Sequence, residues 1–325
     1  MKFRNTLKFG MLFLLCSFSL FLTACNEEEI IPDPPEEEQE EIVEEEEKEE
    51  KELKLETLIS DFPANGAVSV DQEGNVYVSE YGTFINTGGD GYRIFKLSPE
   101  GTVLDTLTQL SGPMGTKKDS KGNLYINNDN NTIRGQVTQI TPDGDRNIIA
   151  SVPGWPSSMT IDDENNLYIT NYTRPTIHKI SPDGKTEIFI EDERLAGCVG
   201  IDLDSEGNLI VSNFATADIY YIDKAGTLRL ITRIPDIVIQ DFGIGYLTVV
   251  DDVIYATGIA VSKIFKVSLG GEIEVFAGTG EAGQLDGELL KAKISNPNGI
   301  AADKKNKILY ISEWTGIGGV RKIQL

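Results

Sequence analysis

The stretch Asp162-Asp163-Glu164-Asn165-Asn166-Leu167-Tyr168-Ile169 decides the fold. An acidic residue opens a short polar turn, and the turn runs into an apolar-Tyr-apolar strand. Working outward, the same phrase ends upstream in Asn75-Val76-Tyr77-Val78 and Asn123-Leu124-Tyr125-Ile126. Downstream it returns as Asn208-Leu209-Ile210-Val211, Val253-Ile254-Tyr255-Ala256 and Ile308-Leu309-Tyr310-Ile311. The spacings are 48, 43, 42, 45 and 55 residues. That period is the length of a four-stranded propeller blade.

Each unit parses into strands around this phrase. The first strand is apolar and begins near a small residue, as in Gly66-Ala67-Val68-Ser69-Val70. Small residues there let backbones crowd around a central axis. A third strand follows the Tyr strand, as in Ile94-Phe95-Lys96-Leu97 and Ile177-His178-Lys179-Ile180. It often ends in a Pro-x-Gly turn such as Ser181-Pro182-Asp183-Gly184. Proline pre-sets one turn angle and glycine supplies the permissive position. A fourth strand, such as Lys185-Thr186-Glu187-Ile188-Phe189-Ile190, completes the unit. The sixth unit stops at its third strand, whereas Leu53-Lys54-Leu55-Glu56-Thr57-Leu58-Ile59 precedes the first unit and alternates like a fourth. The expected fold is an all-β, six-bladed β-propeller over residues 53–325, its ring closed by an N-terminal strand pairing onto the last blade. Such closure leaves no unpaired edge at the seam.

Two resemblances accompany this reading. Ala277-Gly278-Thr279-Gly280-Glu281-Ala282-Gly283-Gln284-Leu285-Asp286-Gly287 and Ile294-Ser295-Asn296-Pro297-Asn298-Gly299-Ile300-Ala301-Ala302-Asp303 resemble NHL repeats. The likeness extends to gluconolactonase and senescence-marker-type propellers. It implies the six-bladed fold and much less about chemistry, because function lives in the site. At the other end, Lys2, Arg4 and Lys8 precede an apolar stretch from Phe9 to Leu22. Leu22-Thr23-Ala24-Cys25 then resembles the lipobox of bacterial lipoproteins. A basic start, a short apolar segment and small residues before the cut describe a secretory signal over residues 1–24. The resemblance implies cleavage before Cys25 and its acylation, palmitate included. Two or more acyl chains anchor stably, at roughly 0.8 kcal/mol per buried CH₂. Asn26 and the acids from Glu27 to Glu29 then imply an outer-membrane lipoprotein exposed at the cell surface, with a periplasm-facing placement as the alternative.

The charge follows the same division. The formal net charge of −23 splits into +3 over residues 1–24, −14 over 25–52 and −12 over 53–325. Residues 25–52 read as a lipidated Cys and an acidic disordered linker, since so few apolar groups cannot offset the entropy of ordering. Its length could span roughly 90 Å when stretched. A chain this acidic does not suit a phosphate backbone, so nucleic acid is not an expected partner. With Cys16 in the signal and Cys25 lipidated, Cys198 is alone and reads as a small core residue.

Loops joining second to third strands, and blade to blade, vary in length and share one face. Examples are Glu80 to Tyr92 and Asn127 to Gly135. Variable loops on a rigid scaffold are where binding resides. Three residues after the Tyr column stand Glu80, Asn128, Asn171, Asn213, Gly258 and Glu313. One further on stand Tyr81, Asp129, Tyr172, Phe214, Ile259 and Trp314. The expected ligand-binding rim is therefore Glu80, Tyr81, Asn128, Asp129, Asn171, Tyr172, Asn213, Phe214, Glu313 and Trp314. Glu80, Asn171, Asn213 and Glu313 are also candidate ligands for a hard cation such as Ca²⁺. The bland alternative is that these polar groups close turns and the aromatics fill gaps between blades. The turn acids Asp71, Asp119, Asp162, Asp204 and Asp303 are expected to bond their own turn backbone.

The histidine count bears on catalysis. His178 is the only one, and it reads as a surface residue of a third strand. No Ser-His or Cys-His pair is available for acyl chemistry. Resemblance to a gluconolactonase implies carboxylates and amides around a divalent cation, but the first blade lacks a Glu-Gly-Pro-x-Trp-like opening. The reading is a non-catalytic, surface-anchored recognition module for a glycan, a peptide or a protein partner, acting as a monomeric domain. The alternatives are a Ca²⁺-dependent sugar-lactone or ester hydrolase, and a structural subunit of an outer-membrane assembly.

Overall fold

The computed structural model describes residues 52–85, 88–130, 132–237, 242–314 and 318–325. The expected signal, Cys25 and most of the acidic linker lie outside the described residues. Six antiparallel sheets follow one another along the chain. Blade one runs Val68–Val70, Val76–Ser79, Ile94–Leu97 and Val103–Leu107. Blade two runs Thr116–Lys118, Leu124–Asn128, Gln136–Ile140 and Arg146–Ser151. Blade three is Pro156–Ile161, Leu167–Asn171, Thr176–Ile180 and Thr186–Glu191. Blade four is Cys198–Leu203, Leu209–Asn213, Asp218–Ile222 and Leu228–Arg233. Blade five is Ile244–Val250, Val253–Gly258, Lys263–Ser268 and Ile273–Ala277. Blade six supplies Pro297–Asp303, Ile308–Glu313 and Val320–Gln324. The first strands touch one another in sequence and the sixth returns to the first, so the ring is closed around an axis.

The fourth strand of blade six is Lys54–Ile59, from the other end of the domain. It pairs Leu55 with Ile323, Glu56 with Lys322 and Thr57 with Arg321. Its free edge is covered by Gly287–Glu288, which pairs with Lys54 and Leu55. Leu55 is fully buried among Ile264, Ile294, Leu309 and Ile323. Alternation thus put the right residues inside, and the closing strand is held on both sides.

Crowding at the axis explains the small residues that open the first strands. A Cβ on Gly200 would stand 2.7 Å from the Leu247 amide of the next blade, and one on Gly299 would stand 2.3 Å from the Gly66 carbonyl. The junctions carry a second device, two residues after the Tyr column. Ser79, Thr170, Ser212, Thr257 and Ser312 each donate a hydroxyl to a carbonyl in the first strand of the next blade or two residues ahead of it. Blade two has Asn127 there instead. It is fully buried, and neither amide atom has a partner among the described residues.

The turn acids behave as their type dictates. Asp71 Oδ1 accepts from the amides of Glu73 and Asn75. Asp119, Asp162 and Asp204 repeat that pair of bonds, and Asp303 accepts from Lys305 and Asn306. Their oxygens are used mainly within their own hairpins, on the face opposite the variable loops, and Asp71 also pairs with Lys118 of blade two at 3.5 Å.

Candidate functional site

The variable loops surround a basin of about 530 Å³ at the axis. Its wall is aromatic. Trp155 stacks on Tyr172 with centroids 5.6 Å apart and planes at 12°. Tyr172 meets Phe214 edge-on at 5.8 Å, and Phe214 meets Phe242 at 5.8 Å. Phe242 reaches Trp314 at 6.2 Å, and Trp314 packs on Tyr81 at 4.6 Å. Six rings from six loops therefore form one continuous belt, with Phe84 exposed beyond it at the rim.

The belt is held by backbone. The amide of Tyr172 donates to Trp155 O, that of Phe214 to Gly197 O and that of Trp314 to Asn296 O, each at 2.9 Å. In blade one, Asn65 Oδ1 accepts from the amides of Tyr81 and Gly82. In these four blades the end of the second strand is thus tied to the link arriving from the blade before it, and the ring there lines the basin.

The polar column does this tying. Asn171 Oδ1 accepts from the Trp155 amide at 3.1 Å, and its Nδ2 donates to Pro153 O. Asn213 Nδ2 donates to Arg194 O and Ala196 O, and its Oδ1 accepts from Ala215 and Thr216. Asn128 Oδ1 accepts from Ser111. Glu80 receives both arms of the Arg93 guanidinium, at 2.9 and 2.6 Å. Glu313, fully buried, accepts from the Ser295 amide, Gln284 and Arg321. The incoming links comply through left-handed glycines. Gly154 has φ +108°, and a Cβ there would lie 2.6 Å from Asn171 Oδ1. Gly197 has φ +90°, with Asn213 Oδ1 at 2.9 Å from the same position.

This settles where the candidate cation ligands point. The oxygens of Glu80, Asn171, Asn213 and Glu313 accept from amides and guanidiniums, so the set does not fit Ca²⁺. Among the described residues no group of three or more His, Cys, Asp or Glu side chains could hold a metal. The polar half of the expected rim closes loops, while Tyr81, Tyr172, Phe214 and Trp314 line the basin. Asp129, in the aromatic column of blade two, adopts φ +62° and accepts from Gln136. Trp155 and Phe242, which repeat alignment does not single out, complete the belt.

Among the described residues the remaining lining is neutral. Tyr81, Tyr172 and Tyr246 are the titratable groups among the described residues around the basin. Burial, helped by Tyr172 and Asp90, pushes the Tyr81 phenol up to about 12. Burial raises Tyr246 as well. Three buried polar atoms here lack a partner among the described residues: Trp155 Nε1, Asn130 Oδ1 and the Tyr246 hydroxyl. The Gly-rich segment near residue 90 serves the wall, with the Gly89 backbone close against the Tyr81 ring and Asp90 capping the Thr83 amide.

His178 and Cys198 lie elsewhere. His178 is buried in blade three rather than at the surface, and burial lowers its pKa. A third strand is covered by blades on both sides, so its alternation does not mark an exposed face. Cys198 is buried, and burial raises its thiol. The opposite face holds a second cavity of about 860 Å³, lined by hairpin acids and lysines. At its inner end Lys304 and Asp202 pair across the axis at 3.1 Å.

No protein-family model matches the chain, and no curated protein matches it in sequence. Solved structures share the fold. An auxiliary nutrient binding protein from Bacteroides thetaiotaomicron superposes with a TM-score of 0.67 at 15% identity, over 83% of this chain and 76% of that one. The virginiamycin B lyase of Staphylococcus aureus, in a catalytically inactive form with quinupristin, gives 0.59 at 18% identity, over 84% and 100%. A gluconolactonase from Xanthomonas campestris gives 0.58 at 13%, over 84% and 89%. At such identities the likeness establishes a six-bladed β-propeller and nothing finer.

Proposed function

We propose that this propeller is a non-catalytic recognition module that binds a glycan, peptide or protein partner in the aromatic basin of its variable face. The carrying observation is the continuous belt of six rings around a cavity whose described lining residues carry no charge. Concave, largely apolar sites with a few placed polar groups are the usual form of ligand pockets. General acid–base chemistry near neutral pH needs a group that titrates there. The titratable groups among the described lining residues are phenols, and those of Tyr81 and Tyr246 are pushed further from neutrality. A relative in fold that is a nutrient binding protein is consistent with capture.

The lipobox-like Leu22-Thr23-Ala24-Cys25 supports a tether through acylated Cys25 at the outer membrane, with the acidic segment as spacer. The experiment is calorimetry against panels of glycans and peptides, with lactone and ester turnover followed in the same samples and Ca²⁺ present or absent. Binding without turnover is expected. Replacing Tyr172, Phe214 and Trp314 together by Ala should abolish it while the circular dichroism spectrum is kept. Metal-dependent hydrolysis, or binding that survives the triple variant, would contradict the reading.

A further inference from the structure

The geometry points to a second binding site, at the hairpin-face end of the axis, where Lys117 takes the carboxylate of a small organic monoacid. This site is separate from the aromatic basin and goes beyond the reading above.

One register brings the lysine to the axis. The first-strand residue opposite the Tyr column is Ser69, Lys117, Thr160, Asp202, Thr248 and Ala301 in blades one to six. The first strands surround the axis, so these positions form one ring around it. The ring holds one lysine and one aspartate. Asp202 is buried and fully engaged. Its Oδ2 accepts from the Thr248 hydroxyl at 2.9 Å and the Val249 amide at 2.8 Å. Its Oδ1 accepts from the Leu203 amide at 2.9 Å and from Lys304 Nζ at 3.1 Å. The Lys117 ammonium, by contrast, has no hydrogen bond or ion pair among the described residues. Its charged neighbours are Asp202 and Lys304, which already pair with each other. The inner end of the cavity therefore carries one positive charge without a counter-ion. Burial pulls the Lys117 amine below its ordinary 10.5; Asp202 opposes this and Lys304 adds to it.

An ammonium held away from water without a partner is costly, and an anion beside it removes that cost. Lys117 is half-buried rather than sealed, and it borders the cavity of about 860 Å³ that opens on the hairpin face. Charge and wall then select the anion. The excess is a single charge, and the same cavity is lined by Asp162, Asp163, Glu164, Asp204 and Glu206. Every further negative charge on a ligand is repelled by these carboxylates, so phosphates and dicarboxylates are disfavoured. A halide answers the lysine but leaves the half-buried sides of Ile161, Tyr168, Phe189 and Leu203 in water. A short carbon chain behind the carboxylate covers them.

The full-length protein in a zwitterionic buffer is titrated calorimetrically with sodium propanoate and butanoate, with sodium chloride and phosphate, and with butanamide, which keeps the shape of butanoate without its charge. In the same samples, acetylation of each lysine by a succinimidyl ester is followed by mass spectrometry. The expected result is saturable binding of the two acids, with chloride and phosphate weaker by about tenfold or more and butanamide silent. Acetylation of Lys117 slows as the acids bind, while that of the exposed and distant Lys54 does not. Lys117→Met keeps the length and removes the ammonium, and should weaken the acids by about tenfold or more. If that variant fails to fold, protection of Lys117 in the parent answers the same question. Acids that bind Lys117→Met unchanged, or that leave Lys117 unprotected, sit elsewhere and overturn the site. Butanamide, chloride or phosphate binding as tightly as the acids overturns the ligand class. Silence of every probe overturns the proposal, and none of these results bears on the basin.

Discussion

Replacing Leu55 by alanine removes a side chain that sits at the seam between the two ends of the domain. Leu55 pairs in register with Ile323 and is fully buried against Ile264, Ile294 and Leu309. Ile264, Leu309 and Ile323 lie on strands bonded on both sides, and Ile294 belongs to the long link of residues 277–296, so the strand neighbours collapse poorly into the hole. Leu→Ala changes in such cores cost about 2–5 kcal/mol, rising with the cavity that remains. The rigid surroundings place this one at about 3 kcal/mol. For a domain of this size that lowers Tm by roughly 6–12 °C. The exposed neighbour Glu56→Ala is the control and should fall within about 0.5 kcal/mol of the parent. Urea unfolding followed by circular dichroism gives both numbers, with an unchanged m-value confirming that the same surface is exposed. If Leu55→Ala melts with Glu56→Ala, the N-terminal strand does not close the ring and the account of the seam is wrong.

Three further outcomes follow from buried polar groups. Asn127→Thr replaces two unmet amide atoms by the hydroxyl that the other five junctions use, and should stabilise by about 1–2 kcal/mol in urea unfolding; a loss would refute the junction device. Arg321 is fully buried and bridges Glu313 at 3.2 Å and Asp286 at 2.6 Å, so Arg321→Met leaves the Glu313 carboxylate without its counter-charge. It should cost about 3 kcal/mol or more, and a change under about 1 kcal/mol would show the pair to be dispensable. Burial holds the His178 pKa below its ordinary 6.5, so the unfolded chain takes up that proton first. The stability that the neutral imidazole brings is present above pH 6.5 and is lost as pH falls below it. His178→Gln should flatten that part of the stability–pH curve relative to the parent, and parallel curves would contradict the burial.

The fold was legible because blades repeat their local chemistry. The Asp–Asn hairpins, the Tyr column and the small residues near the axis each answer a local demand, so one unit teaches the others. The seam was legible for the same reason, since Leu55, Thr57 and Ile59 alternate as a strand must. The site was only half legible. Tyr81, Tyr172, Phe214 and Trp314 fall in one repeat column and were found there. Trp155 and Phe242 sit in blade-to-blade links of unequal length, which no column collects. Glu80, Asn171, Asn213 and Glu313 looked like a ligand set because oxygen chemistry is the same whether a cation or an amide receives it. Only the positions of the incoming links show that amides and guanidiniums do. The Ser/Thr staple two residues after the Tyr column was visible in the sequence, but nothing there says what those hydroxyls reach.

The central claim is that recognition occurs on the loop face, within the aromatic belt. Hydrogen–deuterium exchange of the protein with and without a saturating glycan or peptide from the calorimetry panels tests it most directly. The account predicts slowed exchange in the segments carrying Tyr81, Trp155, Tyr172, Phe214 and Trp314, and no change in the hairpins at Asp71, Asp119, Asp162, Asp204 and Asp303. Protection confined to those hairpins would place the ligand at the opposite mouth and contradict it.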